Sequence, residues 1–155
     1  MTAGNPNSFM GSKIELENEE EVGDINCLCE TTNPDYIVAG AEDFCIYLLY
    51  CDGGSKFTVV TSAQLDEFYK HAKTEQQETG KVNKIAKHDL QQNLYIVATV
   101  CGVCIMTIDV DRKKLTPMKN LYFTKYNVTA VVQVGQDQFL LGFGHTRTER
   151  QDPQS

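Results

Sequence analysis

The chain has no surplus of positive charge. Its 14 Lys and Arg are outnumbered by 21 Asp and Glu, for a formal charge of −7 and a pI near 4.9. No basic stripe exists to neutralise phosphates, which excludes nucleic acid and anionic membrane surfaces as expected partners. The longest basic run, Arg112-Lys113-Lys114, reads as a turn. Long apolar runs are also missing: none approaches the roughly 18 residues needed to span a bilayer. Residues 1–10 have neither the basic nor the apolar region of a secretory signal. The expectation is an intracellular, cytoplasmic protein the size of one ordinary domain, with 41% hydrophobic residues to build its core.

Chemistry is equally sparse. His71, His88 and His145 sit beside no nucleophile and acid in a local catalytic pattern. Cys101-Gly102-Val103-Cys104 has zinc-knuckle spacing, but its only companion, Cys27-Leu28-Cys29, has strand spacing, so all six cysteines read as small hydrophobes. Asp109-Val110-Asp111 offers two hard oxygen ligands. The same residues suit a strand end and a polar turn, and no calcium loop follows. Gly53, Gly54, Gly142 and Gly144 form neither a P-loop nor a dinucleotide fingerprint and read as turn residues. No cofactor, metal or catalytic residue is expected.

What the chain does have is a repeat. Tyr36-Ile37-Val38-Ala39-Gly40-Ala41-Glu42-Asp43-Phe44-Cys45-Ile46 returns as Tyr95-Ile96-Val97-Ala98-Thr99-Val100-Cys101-Gly102-Val103-Cys104-Ile105, and a third copy begins at Phe139-Leu140-Leu141-Gly142-Phe143-Gly144. Short apolar runs with period-two character surround each copy. The first unit predicts strands over 25–29, 36–40, 44–50 and 56–61. The second predicts 82–87, 94–100, 103–109 and a weaker strand near 121–124, and the third 128–134 and 139–143. Turns are expected at Asn33-Pro34-Asp35, Asp52-Gly53-Gly54, Asp111-Arg112-Lys113 and Gly135-Gln136-Asp137. The fold class expected is all-β, with four-stranded antiparallel sheets.

The step from Ala98 to Gly142 fits the roughly 40–45 residues of a WD-type repeat, and the step from Ala39 to Ala98 exceeds it by about 15. That excess is an insertion over 62–80. There Leu65, Phe68, Tyr69 and Ala72 fall at helical spacing, Thr61 and Gln64 occupy capping-box positions and Gly80 is a stop. A short helix is expected, covering a neighbouring sheet or binding a partner. Residues 1–24, with the run Glu15-Leu16-Glu17-Asn18-Glu19-Glu20-Glu21, read as a disordered acidic arm, and 146–155 as a polar tail without an apolar residue.

Over 25–145 these units resemble the WD-repeat β-propeller family. Ala39-Gly40-Ala41-Glu42-Asp43-Phe44-Cys45-Ile46 reproduces the family's small-residue strand, tight turn and following apolar strand, and Asp109 takes the place of its terminal Asp. No tryptophan is present; Leu49 and Ile108 stand where the family carries its aromatic, and Tyr50 replaces the Asp in the first unit. The resemblance implies a partial propeller of about two and a third blades, whereas closed propellers have about four to eight. The alternatives are completion by further blades, self-assembly with copies of the chain, or closure as a small sandwich. By function the resemblance implies a non-catalytic protein–protein interaction module. Its turns at Glu42, Asp43, Asp109 and Asp111 are expected to face one rim and offer acidity to a basic partner surface. The alternative is a segment of a propeller enzyme whose active site lies in blades outside it.

Overall fold

The computed structural model describes residues 15–16, 22–53, 56–65, 81–88, 91, 93–122, 126–136 and 138–145. Of the expected helical insertion over 62–80, residues 66–80 lie outside these residues, as do the tail 146–155 and most of the arm. The described residues form strands and no helix: β1 Glu15–Leu16, β2 Ile25–Glu30, β3 Tyr36–Ala41, β4 Cys45–Cys51, β5 Lys56–Gln64, β6 Val82–Lys87, β7 Leu94–Thr99, β8 Gly102–Asp109, β9 Lys114–Tyr122, β10 Tyr126–Gln133 and β11 Phe139–His145. They make three sheets, ordered β1-β5-β4-β3-β2, β6-β7-β8-β9 and β10-β11. Every pairing is antiparallel except the parallel β1–β5 contact. The all-β antiparallel expectation therefore holds at the level of the sheets.

Three expectations need correction. Residues 62–64, expected to open the helical insertion with Thr61 and Gln64 in capping-box positions, continue β5 and pair with β4, Leu48 opposite Thr61 and Cys45 opposite Gln64. Leu65 then donates its N–H to Phe44 O and is fully buried; a capping box has no role where cross-strand pairing satisfies the backbone. The acidic arm is not wholly unstructured, because Glu15 and Leu16 pair with Lys56 and Phe57. The fourth strand of the second sheet begins at Lys114 rather than near 121. Pro117 obscured it in the sequence, yet proline is admissible on an edge strand, and here it lies beside the bulge at Ile105/Met106.

The sheets stack face to face. Val38, Ile46 and Leu48 of the first meet Ile85, Tyr95, Val97, Cys104, Met106 and Ile108 of the second in one buried cluster. The far face of the second, Ile96, Ala98 and Val103, packs on Val128, Val131, Phe139 and Leu141 of the third. The far face of the first sheet, with Ala39, Ala41, Cys45, Tyr47 and Leu49, is covered by Leu16, Val22, Phe57 and Val59. Each Val, Leu or Ile fully removed from water in this way stabilises the fold by roughly 1.5–3 kcal/mol.

A shared irregularity joins the three sheets. The first strand of each carries a bulge at the same place: between Ile25 and Cys27, between Val82 and Lys84, and between Val128 and Ala130. The bulged residues are Asn26, Asn83 and Thr129. Asn26 Nδ2 donates to Val82 O at 3.3 Å, and Asn83 Nδ2 donates to Val128 O at 2.8 Å. Each asparagine thus grips the first strand of the following sheet, and β2, β6 and β10 lie close together in series. Thr129 Oγ1 instead donates to Gly142 O within its own sheet, at 3.3 Å.

The bulges also fix which residues are equivalent. Opposite each bulge stand Gly40, Ala98 and Gly142, so Gly40 rather than Ala39 corresponds to Ala98. Aligning Ala39 with Ala98 is one residue out of register, and in a strand one residue reverses the face.

Candidate interaction surface

The four acids expected on one rim divide between two ends of the structure. Glu42 and Asp43 lie in the β3–β4 turn. Lys81, which reaches Glu42 Oε1 at 3.5 Å, also accepts the Val100 N–H from the β7–β8 turn through its carbonyl. These two turns therefore share an end. Asp109 and Asp111 lie at the other end of β8, roughly 23 Å away at about 3.3 Å per residue. The common acidic rim is not formed, because the two turns close opposite ends of their strands.

Most of these acids are also engaged locally. Asp43 accepts hydrogen bonds from the Cys45 N–H at Oδ1 (3.1 Å), and from the Gly23 N–H (3.2 Å) and the Tyr47 hydroxyl at Oδ2. Its turn places Phe44 at φ 63°, in the left-handed region, and buries that ring between the first two sheets. Asp109 accepts the Arg112 N–H at 3.1 Å and faces the Arg112 guanidinium at 3.8 Å. Asp111 is exposed.

The candidate chemical groups have structural roles. Burial pushes the Cys101 thiol up to about 11 and the Cys104 thiol up to about 12, so both stay protonated near neutrality. Both lie in the cluster between the first two sheets. Cys45 is buried on the face of its sheet turned away from the following sheet, as is Cys104, although the pairing register matches Cys104 with Tyr47 rather than with Cys45. Among the described residues no group of three or more His, Cys, Asp or Glu is placed to hold a metal ion. His88, only 4% exposed, receives the Gln91 N–H on Nδ1 at 3.0 Å and donates from Nε2 to Gln136 O at 2.9 Å. It ties the end of β6 to the β10–β11 turn and stacks edgewise on Phe139. His71 lies outside the described residues. No described helix is long and apolar enough to cross a membrane.

One exposed apolar surface, on the third sheet, was not foreseen from sequence. By the bulge register, Leu140 corresponds to Val38 and Ile96. Val38 is 0% and Ile96 2% exposed, each covered by the following sheet, whereas Leu140 is 63% exposed. Val132, directly opposite Leu140, is 53% exposed, and Val134 43%. The signal was present in the sequence as Phe139-Leu140-Leu141-Gly142-Phe143, apolar on both faces without a charge.

Compared with models of known protein families and with curated proteins, the sequence matches none.

Proposed function

We propose that this chain is a non-catalytic protein–protein interaction module, a propeller-like scaffold segment that engages its partner through the third sheet. One observation carries the reading: Leu140 stands in water at a position whose two counterparts in the same chain are sealed by a neighbouring sheet. Exposed apolar surface of this kind marks interaction sites. The face-to-face stacking and the adjacent first strands β2, β6 and β10 support the propeller-like arrangement. The module reading is preferred to the catalytic alternative because His88 and the buried thiols already serve the fold.

The test is affinity capture from a cell extract with the full chain and with a Leu140→Asp/Val132→Asp variant, both checked for β-sheet circular dichroism. Proteins retained by the natural chain and lost by the variant support the module. Identical sets from the two baits overturn it.

A further inference from the structure

We infer that the outer edge of β11 is a docking site for one extended strand of another protein, seated antiparallel to β11 with an acidic residue facing Lys119. This rests on the interaction-module reading and specifies its partner.

The first two sheets show what stands at this edge when it is filled. β4 lies antiparallel beside β3, and β8 lies antiparallel beside β7. Among the described residues no strand pairs with β11 on the side away from β10. The edge strand β9 carries Lys114, Lys119 and Pro117, the usual defence of an edge against strand addition. Residues 139–142 carry neither charge nor proline and have the composition of an interior strand.

A floor for the added strand already exists. Between the first and second sheets, Val60 and Ala63 of β5 and Leu115 of β9 all join the shared core, so the fourth strands are covered as well as the inner ones. Between the second and third, β10 approaches β6, β7 and β8. Beyond that contact, Ile105 and Thr107 are half-buried and Thr116 and Lys119 exposed. Ile105 pairs with Lys119 and Thr107 with Thr116, which places all four on the face turned toward the third sheet. A strand beside β11 lies over them.

The occupant follows from this surface. Lys119 has no ion-pair partner among the described residues and calls for a carboxylate, whereas Ile105 calls for an aliphatic neighbour. The ten residues after His145 contain no aliphatic or aromatic side chain besides the ring of Pro153 to meet Ile105. A second copy is excluded sterically: two-fold pairing of β11 with β11 puts both second sheets beneath one combined sheet, in the same space. A further sheet joined as the first three are joined has no grip, since Thr129 bonds within its own sheet where Asn26 and Asn83 reach outward. Strand addition supplies main-chain hydrogen bonds for affinity and alternate side chains for specificity.

The probe is a synthetic, fluorescein-labelled eight-residue peptide alternating valine and threonine, with one valine replaced by glutamate, titrated against the folded full chain by anisotropy. Saturable binding is expected, weakened at least tenfold when alternate peptide amides are N-methylated. It is also expected to be at least tenfold tighter than for the same peptide with lysine in place of glutamate, with that preference reversed by Lys119→Glu, a substitution at an exposed side chain. Absence of saturable binding, indifference to N-methylation, or no reversal with Lys119→Glu each overturns the inference. If capture depends on Leu140 while the peptides fail these criteria, the interaction module stands and the strand site falls.

Discussion

Asn26 and Asn83 occupy the same bulge in successive sheets, and each hands its side-chain amide to the main chain of the sheet that follows. Asn83 makes the closer bond, 2.8 Å to Val128 O, and also donates to Asn127 Oδ1 at 2.6 Å. Truncation leaves a part-buried carbonyl without its donor. Asn83→Ala is expected to cost about 1–2 kcal/mol in urea unfolding, and Asn26→Ala, with its longer bond, about 1 kcal/mol or less. Asn83→Asp should cost more than Asn83→Ala, because it turns a carboxylate toward two carbonyl oxygens. Equal stability for all three variants would show that the asparagines do not couple the sheets.

Gly40 permits the close approach of the first two sheets. A Cβ at this position would fall 2.4 Å from Val82 Cγ1 and 2.7 Å from Cys27 Sγ. Gly40→Ala is therefore expected to destabilise by about 1–3 kcal/mol through overpacking, despite the lower chain entropy of alanine. Combined with Val82→Ala, the loss should be smaller than the sum of the single effects, as read from a double-mutant cycle.

The buried thiols make stability depend on alkaline pH. In the unfolded chain Cys101 and Cys104 ionise near 9.0; in the fold burial holds them protonated up to about 11 and about 12. Their stabilisation is complete below pH 9. It declines by up to about 1.4 kcal/mol per pH unit for each thiol as the unfolded state alone loses protons, until the folded thiols ionise in turn. The midpoint of denaturant unfolding should fall from pH 9 upward, and the fall should be shallower in Cys104→Ala than in the natural chain.

Asp43 and Asp111 should respond oppositely to truncation. Asp43→Ala removes the acceptor for two main-chain N–H groups and the Tyr47 hydroxyl. It is expected to cost about 2–3 kcal/mol and to speed proteolysis near Gly23. Asp111→Ala, at an exposed turn, should change stability by no more than about 0.5 kcal/mol. A denaturation series on the two variants separates these roles.

The alternation of apolar and polar residues disclosed the sheets, because Val, Ile and Tyr at period two have one face to bury. Turn chemistry placed the connections: Gly53 and Gly135 adopt φ of 87° and 76°, and Lys113 takes φ 54° within the expected Asp111-Arg112-Lys113 turn. The register was not legible, since a bulge displaces the pairing by one residue and leaves no periodic trace. Matching Tyr36 with Tyr95 was persuasive, yet the bulge pairs Gly40 with Ala98. Thr61 and Gln64 have helix-capping chemistry and nevertheless extend β5, because β4 supplies their partners. Leu140 falls in the expected strand 139–143, and only comparison with Val38 and Ile96 in three dimensions shows that it lacks their cover.

The parallel strand Glu15–Leu16 gives the molecule a direction. With Val22 it lies against a face where Tyr47 is only 4% and Leu49 6% exposed, whereas Leu28, opposite Ala39 on the same face, is 60% exposed; Val132 and Leu140 are open at the other end of the stack. The two ends of this stack present different residues, Ile25 and Leu28 at one and Val132 and Leu140 at the other, so the surface a partner meets depends on the end it approaches.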